Sequence, residues 1–293
     1  MKFKKQKATS IFRVYLELSK LNILSLVLVA TFLGYYIGNN GVGELSRLIY
    51  TLLGTSLTAA GSGALNHYVE RNPDKYMERT KNRPLPAGLI SPLHVIIYGV
   101  FMTIGGSLLL VFKINLLTGF LSLLTAFLYV IVYTPLKRIT WLNTSVGSIP
   151  GAMPILGGWT AATGEIGNMA WILFGIMYLW QHPHFYAIAW MCKDDYASAN
   201  FKMLPVIEKD GSRTIRQIFW HLLLMIPVSL LPVVEGSLGY FYLFGVIIIS
   251  CGFFLSAIPL AKDKSRKSAL LLLKTPVLYL HVLLIIIIID LKV

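Results

Sequence analysis

Asn66, Glu70, Asp74 and Glu78 recur at every fourth residue of NHYVERNPDKYMERTKNRPLP, residues 66–86. That interval puts side chains on one face of a helix. An amide and two or three carboxylates are oxygen ligands of the kind Mg²⁺ takes together with substrate phosphates. Arg79, Lys81 and Arg83 are interleaved in the same stretch and can neutralise phosphate oxygens, arginine by bidentate pairing. Pro73 bars an unbroken helix, because an interior proline loses a hydrogen bond and clashes with the preceding turn. Asn72-Pro73 reads instead as an N-cap and a first helical residue. One helix is therefore expected to end near Arg71 and a short second one to begin at Pro73. A solvated loop whose charges pair with one another remains the alternative at this point.

A second acidic stretch, QHPHFYAIAWMCKDDYASANFKMLPV, spans residues 181–206 and carries Asp194 and Asp195. Two carboxylate clusters at one depth can face each other across a cavity and hold two metal ions around one diphosphate. Gln181, His182 and His184 lie three turns deeper in an apolar span, where polar residues are functional candidates. Each histidine reads either as an interhelical hydrogen-bonding residue or as a contact to substrate or iron. Between the clusters, residues 133–159 hold Tyr133, Lys137 and Arg138, placed for phosphate contact or for anchoring at the membrane surface. Gly147, Gly151, Gly157 and Gly158 follow; small residues permit close helix approach or leave room for a bulky ligand.

The elements that must hold these residues are membrane helices. The chain is 56% hydrophobic and 13% charged, against about 25% charged in soluble domains. Nine apolar spans are expected, at 21–39, 46–67, 92–111, 116–134, 143–162, 169–190, 217–234, 240–261 and 271–290, each able to cross about 30 Å of hydrocarbon. The fold class is thus an all-α integral membrane protein, a single transmembrane domain over 21–290 behind a basic, cytoplasmic N-terminal segment, 1–20. Of the 26 Lys/Arg residues, 23 fall on one side of these spans, which orients the N-terminus inside and the C-terminus outside. Topology accounts for the net charge of +13, so no nucleic-acid partner is implied. Glu70, Asp74, Glu78, Asp194, Asp195, Glu208, Asp210 and Asp263 share the inner side, and acidic residues contribute little to orientation. Something on that face uses them. Cys192 and Cys251 lack metal-ligand spacing and read as free thiols, and no cleavable signal peptide is expected.

At these three segments, in this order on one side of nine spans, the sequence resembles the UbiA-type intramembrane prenyltransferases, from about Leu18 to about Val282. The resemblance is closest to the branch that modifies heme. It implies a helical bundle around a central cavity, in the prokaryotic cytoplasmic membrane, with the active site on the cytoplasmic side. It also implies transfer of a farnesyl group from farnesyl diphosphate to a vinyl group of heme B, with addition of water, giving heme O and diphosphate with Mg²⁺ as cofactor. Heme B is then substrate and not prosthetic group, and heme A synthase or oxidase assembly proteins are the implied protein partners. By position, Asn66, Glu70 and Asp74 match the family's first acidic motif and Asp195 the second, with Asp194 a further metal-ligand candidate. Arg79, Lys81, Arg83, Tyr133, Lys137 and Arg138 would bind diphosphate, and His182, His184 or His67 would contact heme. Tyr68, Tyr129, Tyr133, Trp180, Phe185 and Tyr186 are candidates to face an allylic cation. Three departures stand out. Glu70 replaces an Asp common in the superfamily, and Ala199 stands where many relatives carry another Asp. After Lys20 a Pro-Arg pair is missing, which puts a basic contact near Asn22 in doubt. Prenyl transfer to an aromatic quinone-precursor or tetrapyrrole acceptor is the second enzymatic reading, and secondary transport is the reading from another class.

Overall fold

The computed structural model describes residues 10–208 and 210–291, and all regular structure among them is helical. The run of lysines at Lys2, Lys4, Lys5 and Lys7, part of the basic N-terminal segment, lies outside the described residues, as do Lys209 and Lys292. The helices are α1 (Ile11–Leu18), α2 (Leu21–Gly38), α3 (Leu45–Glu70), α4 (Pro92–Lys113), α5 (Leu116–Phe127), α6 (Thr134–Leu136) and α7 (Asn143–Thr163). They continue with α8 (Asn168–Met191), α9 (Lys193–Ser198), α10 (Leu204–Ile207), α11 (Ser212–Val234), α12 (Tyr240–Asp263) and α13 (Arg266–Asp290).

Seven segments are long and apolar enough to cross a membrane: α2, α3, α4, the continuous stretch 116–136, α11, α12 and α13. The other two expected spans form helices α7 and α8 of 21 and 24 residues. Their Gly, Pro, Gln and His residues keep them below that apolarity, so composition alone supports seven spans and not nine. Several starts follow from caps legible in the sequence: Ser91 accepts from the His94 N–H ahead of Pro92, and Asn115 accepts from the Thr118 N–H. Each satisfies an orphan donor of the first turn.

Helix α3 ends at Glu70, and Pro73–Tyr76 forms a separate 3₁₀ turn, as the proline requires. Asn72 does not act as the expected cap, since its backbone is helical and its side chain makes no capping bond. Between α5 and α6, Leu128–Tyr133 adopts a π-helical turn. Such wide turns are short and often sit at functional sites.

The helices close on one another through bare backbone. α3 lies along α4 and α2 along α7. At the second contact a Cβ on Gly34 would stand 2.0 Å from the Ile155 carbonyl oxygen, and one on Gly158 would stand 1.9 Å from that of Thr31. Lipid tails give no hydrophobic reason for helices to associate, so this close fit supplies the attraction. Gly34→Ala and Gly158→Ala are each expected to destabilise the protein by about 1–3 kcal/mol through overpacking. Gly105→Ala, whose added methyl meets nothing within 4 Å, should leave the melting temperature in detergent unchanged. A thermal-unfolding series on the three variants checks this.

Candidate active site

A cavity of about 410 Å³ occupies the middle of the bundle, within the size range of small-molecule sites. Away from the mouth its wall is largely apolar, with Val27, Leu110, Leu121, Met153 and Met177, and hydroxyls of Thr55, Thr58, Thr118, Ser122 and Thr125 are interspersed. Its mouth, at the end of the bundle where α3, α6 and α8 stop, is lined by Lys20, Glu70, Asp74, Arg79, Arg83 and Lys137. Four cations and two carboxylates thus meet an apolar chamber at one rim.

The break after α3 builds this rim. Glu70, 5% exposed, ends the helix and accepts a hydrogen bond of 2.7 Å from the Lys137 ammonium. The chain then turns, so Asp74 re-enters the wall fully buried and both its oxygens, at 3.0 and 2.9 Å, accept from one Arg83 nitrogen. Burial pushes the Asp74 carboxyl above its ordinary range, with Arg83 pulling it back. Burial would lower the Lys137 ammonium, but the Glu70 carboxylate outweighs it and holds Lys137 above its usual value. Lys137 also stands 4.6 Å from the Tyr133 ring centroid.

Lys20 is the residue that sequence reasoning missed. It links α1 to α2 with φ at +51°, a left-handed conformation that costs a side-chain-bearing residue roughly 1–2 kcal/mol. Its ammonium donates to Asn66 Oδ1 and, at 3.3 Å, to the Tyr129 hydroxyl. Asn66 Nδ2 donates to Thr134 Oγ1 at 2.9 Å, which donates at 2.7 Å to the Tyr129 carbonyl, the same oxygen that accepts the Thr134 N–H across the π turn. The ring of bonds closes on itself. Burial lowers the Lys20 pKa to about 7, with Glu70 opposing and Arg83 and Lys137 adding to the effect. In the sequence only the basic residue between an amphipathic run and the first span marks it.

The second acidic stretch meets the first, as its register suggested. Asp195 Oδ1 accepts from the Glu78 N–H at 3.0 Å, and Ser198 Oγ donates to the Tyr76 carbonyl at 2.8 Å. Met77 packs beneath with Tyr196, Ala199, Phe201 and Met203. Asp195 lies 3.9 Å from Arg79, whose guanidinium covers the Tyr196 ring at 4.5 Å.

Other expected site residues fall elsewhere. Asn66 sits behind Lys20 and off the cavity wall, because its amide is consumed in the bonded ring. Glu78 and Lys81 pair with each other in the open, since the chain turns away after Met77. Asp194 is exposed on α9 and does not line the cavity. Arg138 lines a separate surface hollow beyond Glu70. His182 is buried against His221, ring centroids 3.7 Å apart, with both nitrogens near Tyr178 O and Ser145 Oγ. His67 is buried away from the cavity as well, and of the three histidines His184 alone lines it. Tyr129, Tyr133, Trp180 and Phe185 face the cavity, whereas Tyr68 and Tyr186 pack outside it. Cys192 and Cys251 are free.

Among the described residues no three His, Cys, Asp or Glu side chains gather into a metal cage. Glu70 and Asp74 instead offer two carboxylates on one wall, a donor set that suits Mg²⁺ arriving with phosphate oxygens. Ala199 lies in the apolar cluster under the loop, where a carboxylate would have no partner.

Residues 27–283 match the UbiA prenyltransferase family. A protein of Solibacter usitatus (strain Ellin6076) named protoheme IX farnesyltransferase is 42% identical over 277 residues, covering 92% of this chain and 95% of that protein. One of the same name from Salinibacter ruber (strain DSM 13855 / M31) is 43% identical, covering 94% of this chain and 98% of that protein. Among solved structures, one of digeranylgeranylglyceryl phosphate synthase is similar with a TM-score of 0.80 at 18% identity, covering 96% of this chain and 99% of that chain. A UbiA homolog from Archaeoglobus fulgidus bound to DMAPP and Mg²⁺ gives a TM-score of 0.60 at 16% identity, covering 92% of this chain and 99% of that chain. By sequence match over most of its length and by fold, the chain belongs to the UbiA prenyltransferase family.

Proposed function

We propose that this chain transfers a farnesyl group from farnesyl diphosphate to a vinyl group of heme B, with water adding to form heme O. The observation that carries the reading is the division of one cavity into a cation-rich rim and an apolar interior. Diphosphate suits the first and an isoprenoid tail the second. The heme acceptor is supported by the name shared by relatives 42% and 43% identical to the chain. The work is done in the prokaryotic plasma membrane, the N-terminus inside and the rim on the cytoplasmic side, as the lysine and arginine distribution supports.

In this reading Lys20, Arg79, Arg83 and Lys137 hold the diphosphate. Their pairing with Glu70 and Asp74 keeps the cations ordered before substrate arrives, so little reorganisation is left for the reaction. Glu70 and Asp74 hold Mg²⁺, which when bound supplies positive charge where the leaving group gains negative charge. The farnesyl C1–O bond breaks with its electron pair passing to diphosphate. Tyr129, Tyr133, Trp180 and Phe185 then turn ring faces to an allylic cation, each worth about 0.5–2 kcal/mol. The apolar wall keeps water from that carbon until the vinyl group reaches it. Asp195 acts through Arg79, as a positioning residue.

Purified protein incubated with heme B, farnesyl diphosphate and Mg²⁺ should yield heme O by mass spectrometry. A farnesylated quinone precursor formed in its place, with heme unchanged, would transfer the assignment to the aromatic-acceptor class. Asp74→Ala should lower turnover by roughly 10²-fold or more. It should also cost stability by leaving Arg83 unpaired, so its turnover is compared per folded protein at a temperature below its melting point. Asp195→Ala should lower turnover by about 10-fold and fold normally. Wild-type turnover in both would remove the diphosphate site from this rim. Lys20 adds a pH test. With its pKa at about 7 in the free protein, it is neutral at higher pH, while a bound anion favours the ammonium. Diphosphate binding therefore takes up a proton above pH 7 and weakens as pH rises. Titration calorimetry with inorganic diphosphate should show that decline in the wild type and a flatter profile in Lys20→Arg.

A further inference from the structure

A tail held by its diphosphate at the rim must end inside the bundle, and the cavity ends on solid packing. On α3 its wall runs from Glu70 back to Thr55, fifteen residues or about 22 Å along the axis. Ala30, Leu110 and Thr118 border the cavity at that end, each at most 2% exposed. Beyond them Tyr35, Leu48 and Ala161 pack with Leu52 and Ile114, and none of these five lines it. The chamber is closed at the end away from the rim.

Short contacts hold this floor in one layer. A Cβ on Gly54, the neighbour of Thr55, would stand 2.6 Å from Leu110 Cγ, so Leu110 lies directly on α3. Its carbonyl accepts from the Asn115 N–H at 3.1 Å. Asn115 Oδ1 accepts from the Thr118 N–H at 2.7 Å, and Asn115 Nδ2 donates to the Thr160 carbonyl at 2.8 Å. Thr160 Oγ1 donates to the Gly157 carbonyl at 3.2 Å, so Thr118 is the donor in the 3.0 Å bond between the two hydroxyls. Gly158 in turn closes on the backbone of Thr31, next to Ala30. Five helices thus meet at one level, and Gly157 stands on its cavity side.

Among the described residues four glycines line the cavity: Gly63, Gly147, Gly151 and Gly157. At three of them the place of a Cβ is already taken. It would meet the Leu18 carbonyl oxygen at 3.2 Å on Gly63, the Tyr133 ring at 2.4 Å on Gly147 and Gln181 Oε1 at 1.9 Å on Gly151. On Gly157 it would meet nothing within 4 Å. Close packing therefore explains the first three and not the fourth, although glycine destabilises a helix interior relative to alanine. The space beside Gly157 belongs to the chamber, at the level of its floor. We propose that Gly157 is a specificity-determining residue: its bare backbone admits the last isoprene unit of the diphosphate substrate, and the layer of Leu110 and Thr118 stops a longer chain. That the substrate is farnesyl diphosphate rests on the reading above. Diphosphate fixes one end of the tail at the rim, so a fixed floor turns the distance between them into a measure of chain length.

The test measures affinity, without heme, for inorganic diphosphate and for prenyl diphosphates of two, three and four isoprene units. Titration calorimetry uses the full-length protein in lipid nanodiscs with Mg²⁺, and the signal of empty nanodiscs is subtracted. In the wild type each unit up to the third should tighten binding, and the fourth should weaken it. Gly157→Ala and Gly157→Leu fill the space in two steps. The leucine variant should bind the three-unit chain roughly 10–200-fold more weakly, with much smaller changes for the two-unit chain and inorganic diphosphate. The alanine variant should fall between it and the wild type. Gly105→Leu, equally open but off the cavity wall, should keep the wild-type order. Tighter binding of four units than of three by the wild type overturns the floor. A wild-type order in Gly157→Leu overturns the residue's role, and so does a loss equal at every length. Turnover with heme B separates this inference from the reading beneath it. The expected length order without any farnesylated heme removes the acceptor and keeps the floor, whereas heme O formed with an unaltered order in Gly157→Leu does the reverse.

Discussion

Two ion pairs held at the edge of a low-dielectric chamber set the terms for the rest of this structure. Glu70 with Lys137 and Asp74 with Arg83 are each largely withdrawn from solvent. An unpaired charge in such a place costs several kcal/mol, and its partner's attraction offsets that only in good geometry. The partners must therefore arrive from fixed backbone. Glu70 is the last residue of α3, Lys137 closes the short helix after the π turn, and Asp74 and Arg83 come from the loop that the proline folds back. Moving any of these elements by a few ångströms would strand a charge. The same pairs make the rim receptive to diphosphate, because cations already ordered by carboxylates exchange one oxygen partner for another.

That precision needs a rigid scaffold in a solvent that offers helices no hydrophobic reason to associate. Gly34 against Ile155 and Gly158 against Thr31 bring α2 and α7 into backbone contact. Gly61 and Gly106 do the same between α3 and α4. These contacts hold α2, and with it Lys20, against the wall that carries Tyr129 and Glu70. Prolines within α7 and α8 then irregularise the helices facing the chamber, a feature membrane proteins tolerate where the backbone lines a cavity. Backbone rigidity on the lipid side and polar irregularity on the chamber side belong to one design.

The positions of the spans were legible because a bilayer imposes a length and an apolarity that single sequences reveal. The break at Pro73 was legible for a similar reason, since proline chemistry is local. What the spacing of four could not show is where the helix ceases to count. Asn66, Glu70 and Asp74 approach one another, yet Glu78 turns outward, because periodicity lapses once α3 ends. Lys20 stayed hidden because its importance comes from residues 46 and 109 positions away, joined through a π turn that leaves no mark in composition. His182 and His184 are two residues apart, and only their opposite faces on α8 separate a core histidine stacked on His221 from one on the cavity wall. Long-range packing decides that, and the sequence carries no period for it.

Ala199 connects this packing to the choice of acceptor. A carboxylate there would enter the apolar cluster of Met77, Tyr196, Phe201 and Met203 that clamps the two acidic loops together. Without it, the second loop meets the rim through Asp195, Arg79 and Tyr196, and the carboxylates that face the cavity are confined to Glu70 and Asp74. Charge is thus concentrated on one side of the mouth, while α7 and α8 line the cavity with Gly147, Gly151, Gly157, Trp180, Gln181, His184 and Phe185. A large, flat, mostly apolar partner bearing a vinyl group suits such a wall, where small residues leave room beside the backbone.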